Sequence, residues 1–413
     1  MFKENSRPHL ILAALWLMMF SASSQVMIIP PIIPQISSEL GIPESFQGML
    51  VTAYAVMLSL FALTAGPISD KFGRRRILLI GSGAMAFALF LHHYAFDFVS
   101  LLIVRALAGA AGGVLSGASV SYIGDYFPYE KRGWANGVVV TGIAAGQILG
   151  IPIGTLLAEW GGFRQPFVMF AITMTFAFAL TLLTVPQPTV QRFRGRLSVR
   201  VTFKNYLEML KRPEISAVAG AFALMHFSIA MYVVFLPTWL TQTFDLSGYE
   251  IASVVFVGGI AAVFTGPVAG KLSDCYGRKA LIIISCFGLS LVMASTTAVV
   301  SKFWIAYPLF FITMTLIAMR MSPFQALISE MIPEEKRGSL MSMLIAIGQL
   351  GMGFGGAFAG YAFMQFGYIS NSVLAAVSVL AMGMMVWRFV PEPKLNFQAP
   401  IPENKQKVPY SVS

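Results

Sequence analysis

Twelve long apolar runs constrain this chain more than any other feature, at 10–33, 47–69, 77–95, 99–123, 135–158, 165–185, 215–240, 250–270, 280–300, 303–328, 339–363 and 368–390. Each is close to the roughly 20 residues that a helix needs to cross the hydrocarbon of a bilayer. Of the 413 residues only 11% are charged, against about a quarter in soluble domains. The ten-residue alternation of a membrane barrel is missing, so the spans read as helices. The expected fold class is an all-α membrane protein with twelve transmembrane helices. The first run follows Lys3 and Arg7 as a signal peptide would. It is longer than a signal core and lacks a small-residue cleavage site, so it reads as a retained helix.

The formal charge of +10 has a topological explanation. All of the 28 Lys and Arg residues except Arg105, Arg164, Lys302 and Arg320 fall on one side when loops are assigned alternately. That asymmetry is the positive-inside rule, and it puts both termini in the cytoplasm of a multi-pass cell-membrane protein. The basicity orients the chain and speaks against a nucleic-acid partner. Cys275 and Cys286 sit in a charged loop and within a span, which suggests neither a disulfide nor a metal site.

The longest polar break, 185–216, divides the spans six and six. It suggests an N-terminal bundle at 1–190, a cytoplasmic linker at 191–214, a C-terminal bundle at 215–390 and a tail at 391–413. Within the linker, Phe203, Tyr206, Leu207 and Leu210 against Lys204, Lys211 and Arg212 suggest a short amphipathic helix on the membrane surface. The halves also repeat. "GPISDKFGRRR" at Gly66–Arg76 returns as "GKLSDCYGRK", so that Asp70 and Gly73 recur 204 residues later as Asp274 and Gly277. "DYFPYEKRG" (Asp125–Gly133) returns 205 residues later as "EMIPEEKRG" (Glu330–Gly338). Two motifs with nearly one offset argue for duplication of a six-helix unit, a mark of secondary transporters. Asp70 and Asp274 close helices, where a carboxylate opposes the dipole and needs a basic side chain or another helix's N-terminus.

These motifs resemble those of the major facilitator superfamily, and the resemblance covers all twelve spans. Gly66–Arg76 and its copy look like that family's signature loop. The resemblance implies two pseudo-symmetric six-helix bundles that rock about a central cavity. It implies a gate built from Gly66, Asp70, Gly73, Arg74, Arg75, Asp125 and Arg132, with Asp70 capping a helix of the other half. Asp274, Gly277, Arg278, Glu330 and Arg337 would form its weaker mirror. "RALAGAAGG" (Arg105–Gly113) is similar to the fourth-helix motif of proton-linked members. "LGIPIGTLLAEWGGFRQPF" is similar to the drug and sugar efflux branch, with Pro152 two residues after a stripe glycine. The stripes Gly142, Gly146, Gly150, Gly154 and Gly258, Gly266, Gly270 would be surfaces where the bundles meet.

Charge within a span asks for a reason, since it costs about 3 kcal/mol on insertion scales. None of the acids falls in the middle of a span; the first helix offers Ser23, Ser24 and Gln25 instead. Arg320 lies about ten residues from the inner end of the tenth run, and His226 lies at similar depth in the seventh. Arg105, His226 and Arg320, with Gln25, Tyr54, Gln147, Tyr232, Gln325 and Gln349, are the candidates for substrate or coupling contacts. A cation and a titratable histidine without a mid-span acid favour a solute that bears an acidic group. The expected function is proton-coupled alternating-access efflux of a small organic compound by a monomer. Uptake or exchange of an organic anion with Arg320 as counter-ion, and lipid flipping, are the alternatives. No catalytic motif, phosphate-cradling loop or cofactor-binding pattern is present in the sequence, so no enzyme activity, metal or cofactor is expected.

Overall fold

The computed structural model describes residues 8–188, 199–331 and 334–391. These hold twelve helices long and apolar enough to cross a membrane. In the first half, α1 runs Pro8–Met27 and continues as Ile29–Leu40, and α2 is Met49–Phe72 after a turn at Glu44–Gln47. Then come α3 (Arg74–Leu91), α4 (Phe98–Leu115, extended by Ala118–Tyr126), α5 (Tyr129–Ala145, Gly146–Gly150 and Ile151–Gly161) and α6 (Gln165–Thr184). A surface helix, Val199–Leu210, leads to α7 (Pro213–Val233 and Leu236–Phe244). The second half continues with α8 (Gly248–Tyr276), α9 (Arg278–Val299), α10 (Ala306–Glu330), α11 (Glu334–Phe366) and α12 (Tyr368–Phe389).

Prolines account for the interruptions. Pro30 and Pro31 cannot donate to the carbonyls four residues back, and α1 breaks at Ile28. Pro237 withholds the donor that Val233 would accept, and α7 breaks at Val234–Phe235. In α5, Pro152 follows a π-helical turn at Gly146–Gly150, the local widening that accommodates its ring. The breaks in α1 and α7 occupy corresponding places, as a duplicated unit would give.

The signature loops are built alike. Both helices end one residue before glycine, at Phe72 and Tyr276, and the next begins one residue after. Gly73 has φ 97° and Gly277 has φ 93°, a backbone region that a side chain would strain. Their N–H groups donate to Ser69 O and Ser273 O at 3.0 and 3.1 Å.

Packing repeats in the same way. Helix α2 lies along α4 and α8 along α10; α1 lies against α5 and α6, and α7 against α11 and α12; α3 packs on α4 and α6, and α9 on α10 and α12. The halves meet through α2 with α11 and through α5 with α8, two contacts that a two-fold axis exchanges. Helix α8 touches Ile151–Gly161 and Gly146–Gly150 but diverges from Tyr129–Ala145. The halves are therefore joined at the end remote from Gly73 and Gly277 and splayed apart toward those loops.

Candidate functional site

At the joined end the backbones of α2 and α11 come into contact. A methyl group added at Gly48 would fall 1.8 Å from Gly356 O, and one at Gly360 would fall 2.6 Å from Ser45 O. Thr52 Oγ1 donates to Gly353 O at 2.6 Å, and Gln242 Nε2 donates to Glu44 Oε1 at 2.6 Å. Small residues permit this approach, and the freed space leaves carbonyls open to hydrogen bonds. Sequence reading missed this contact. The run "GMGFGGAFAG" carries its signal, with glycines at 351, 353, 355, 356 and 360 spread over two faces. Gly351 and Gly355 take the α7 side, against Ala223 O and Phe227 O.

The two stripes singled out in the sequence go elsewhere. Added methyl groups at Gly142, Gly146, Gly150 and Gly154 would strike Trp16, Phe20, Ser24 and Ile28 of α1. Those at Gly258 and Gly270 would approach Phe310 and Ser322 of α10, and Gly266 has open space. The close approaches of these glycines fall within one half, while the halves meet through α2 with α11 and through residues 146–161 of α5 with α8.

At the splayed end the charged loops differ between halves. Arg74 Nε pairs with Asp125 Oδ2 at 2.6 Å, joining α3 to the end of α4, with side chains only 17% and 23% exposed. Arg132 Nε donates to Phe127 O at 3.0 Å. In the second half Arg278 reaches Asp274 of its own loop at 3.6 Å, and Asp274 is 66% exposed. A screened pair of that kind contributes little, whereas the first is short and sheltered. Gly66, Asp70, Glu330, Arg337 and the α5 residue Gln147 lie outside the described residues in all but their backbone.

The next base of each loop has a shared task. Arg75 donates to Leu182 O at 2.7 Å and Val185 O at 2.6 Å, at the end of α6. Its counterpart Lys279 donates to Val390 O at 2.9 Å, at the end of α12. A cation on a helix's last carbonyls satisfies orphan acceptors and opposes the negative dipole end. The loop thus binds the sixth helix of each half, a role that the sequence reading did not assign.

Inside the first half, Arg105 is 1% exposed. It donates to Gln25 Oε1 at 2.9 Å and Leu50 O at 3.3 Å, and its guanidinium lies 4.7 Å from the Tyr54 ring centre. Dipoles and an aromatic face solvate this charge in place of an acid. Gln25 and Tyr54 are buried with it. His92, unnoticed in the sequence, is buried against Phe167 with ring centres 4.1 Å apart, its Nδ1 2.8 Å from Ala88 O.

Arg320 is 0% exposed, and Nη1 lies 3.7 Å from Met382 Sδ of α12. Its Nε and Nη2 are buried with no hydrogen-bond partner among the described residues. His226 Nδ1 lies 3.0 Å from Phe222 O, and the ring faces Gly348 of α11. Tyr232 is buried, its hydroxyl 2.9 Å from Thr296 Oγ1. Gln325 is exposed and Gln349 half-buried. The candidates therefore separate into an Arg105–Gln25–Tyr54 cluster in one half and Arg320, Tyr232 and His226 in the other.

A sequence profile described as the Major Facilitator Superfamily matches residues 15–319 and 218–411. Multidrug resistance protein MdtG of Proteus mirabilis is 30% identical over 377 residues, covering 87% of this chain and 92% of that one. The crystal structure of a D-xylose-proton symporter superposes with a TM-score of 0.76 at 19% identity, covering 94% of this chain and 98% of that one. A bacterial homologue of the human lysosomal transporter Spinster, in an inward-facing and unoccupied conformation, gives 0.70 at 15% identity over 93% and 96% of the two chains.

Proposed function

The chain belongs to the major facilitator superfamily of membrane transporters, and from that premise we propose that it exports a drug-like or metabolite compound by proton-coupled alternating access. The observation that carries this reading is the near full-length similarity to a multidrug resistance protein. With the termini on the cytoplasmic side, as the distribution of bases predicts, the joined end is external. The structure then represents the inward-facing state, in which solute enters from the cytoplasm. The sheltered Arg74–Asp125 pair and the looser Arg278–Asp274 pair belong to the cytoplasmic gate in this reading. His226 is the mid-span titratable group whose protonation couples to transport; its neighbour Gly348 leaves no room for a second side chain.

The test uses proteoliposomes loaded with a panel of lipophilic and drug-like compounds, with an imposed pH gradient. Gradient-driven efflux of at least one compound is expected. His226→Gln should lose gradient-driven flux while keeping exchange of labelled against unlabelled compound. Absence of flux and exchange for every compound overturns the reading.

One observation favours a second reading, transport of an organic anion with Arg320 as counter-ion: among the described residues its Nε and Nη2 have no hydrogen-bonding oxygen or nitrogen, and its neighbours are the sulfur atoms of Met382 and Cys286. Arg320→Gln should then abolish binding of anionic solutes, and unchanged binding removes this reading.

A further inference from the structure

The transport reading leaves one element unused, the helix Val199–Leu210 between the halves. It is anchored on one side of its axis. Tyr206 is buried, with its hydroxyl 3.4 Å from Leu63 O of α2 in the first half. The same helix packs on α7 and α11 in the second half. Lys211 and Arg212 turn directly into α7 at Pro213, and Ser216 Oγ donates back to Leu210 O.

The other side has no cover among the described residues. Phe203 is 56% exposed and Leu207 48% exposed. At 100° per residue these two lie about 40° apart, and Lys211 and Lys204 follow within about 60° beyond Leu207. Lys204 is 75% exposed, and its contact with Glu208 is a loose 4.0 Å. Arg212 is exposed as well. Apolar groups in one arc with lysines on its rim are the geometry of a helix lying in the plane of a bilayer surface. The chain crosses that bilayer twelve times, so the surface is present beside this helix.

We infer that this helix docks on the anionic phospholipid headgroups of the leaflet at the splayed end. Phe203 and Leu207 enter the acyl boundary, while Lys204, Lys211 and Arg212 meet phosphate. Charge complementarity selects the lipid: each base near a negative membrane surface contributes about a fivefold gain in association.

Purified full-length protein in maltoside micelles is titrated with dioleoylphosphatidylglycerol or dioleoylphosphatidylcholine, and thermal unfolding is followed. The glycerol lipid should raise the unfolding temperature well above the choline lipid. In K204Q/K211Q/R212Q the half-saturating concentration of the glycerol lipid should rise about a hundredfold, with the choline response unchanged. Salt at about 0.5 M should weaken the wild-type response in the same direction. F203S/L207S should weaken the response to both lipids. Should the triple variant fail to purify, K204Q alone, with about a fivefold shift, serves as the test. A triple variant that titrates like wild type, equal stabilisation by the two lipids, or inorganic phosphate reproducing the shift would each overturn the inference.

Discussion

Arg105 and Arg320 carry the same charge within spans and differ in how it is satisfied. Arg105 presents its planar fork to Gln25 Oε1 and Leu50 O and stacks over Tyr54. Lysine keeps the charge but not the fork, so Arg105→Lys should lower stability by about 1–3 kcal/mol. A fall in unfolding temperature for Arg105→Lys, with a larger one for Arg105→Ala, is the check. Arg320 has no comparable set of acceptors. Replacing a buried cation met by the weak sulfur acceptors of Met382 and Cys286 with an apolar side chain of similar length removes a desolvation cost, so Arg320→Met should be neutral or stabilising by about 1 kcal/mol or more. A destabilised Arg320→Met protein would show that its charge is satisfied in a way these contacts do not reveal. Both arginines were legible in the sequence by depth, because a charge inside an apolar run stands out. The direction each faces was not. In a soluble helix polar residues mark the outer side; here lipid-facing and core-facing sides are both apolar, so Arg320 could have faced the centre as readily as α12.

Glycine shows the same ambiguity between elements. The sequence displays small residues every fourth position in α5 and α8, yet nothing in that spacing says which neighbour approaches. Helix α5 turns its stripe to α1, and the halves meet both through α2 with α11 and through α5 with α8. Their substitution should separate two effects. Gly142→Ala strikes Trp16 O at 2.6 Å within one half and should lower thermal stability with the open–closed balance little changed. Gly356→Ala strikes Gly48 O at 2.9 Å across the seam and should disfavour the joined state, since only the other arrangement relieves the clash. Spin labels on α2 and α11 near that end should report longer distances in Gly356→Ala and unchanged distances in Gly142→Ala. Gly266→Ala, with open space around it, should stay within about 0.5 kcal/mol of the parent. The element boundaries themselves were largely readable, because length and hydropathy fix a span and Gly73 and Gly277 fix the turns. The breaks in α1 and α7 follow from prolines visible in the sequence.

At the scale of the molecule, duplication was legible from two motifs at nearly one offset, and the pairwise packing obeys it. The state of the molecule was not legible, since the proposed cycle requires one sequence to build both a joined and a parted seam. Matching contacts at each end would make the two states nearly isoenergetic, the condition for a ligand of modest affinity to shift between them. The described side-chain bonds between the halves lie at the joined seam, where Gln242 meets Glu44 and Thr52 meets Gly353. Freezing one seam should therefore stop a full cycle without unfolding either half. With Cys275 and Cys286 replaced by serine, Ala55→Cys and Gly353→Cys place two thiols across the seam, since a Cβ at Gly353 would lie 3.6 Å from Ala55 Cβ, within the span of a disulfide. Oxidation should trap the joined seam and abolish flux in proteoliposomes, and reduction should restore it. Solute binding from the splayed side should survive the cross-link, because that end stays open in the trapped state. Undiminished flux in the fully cross-linked protein would mean that this seam does not part during transport, and a rocking motion of the halves could not then be the mechanism.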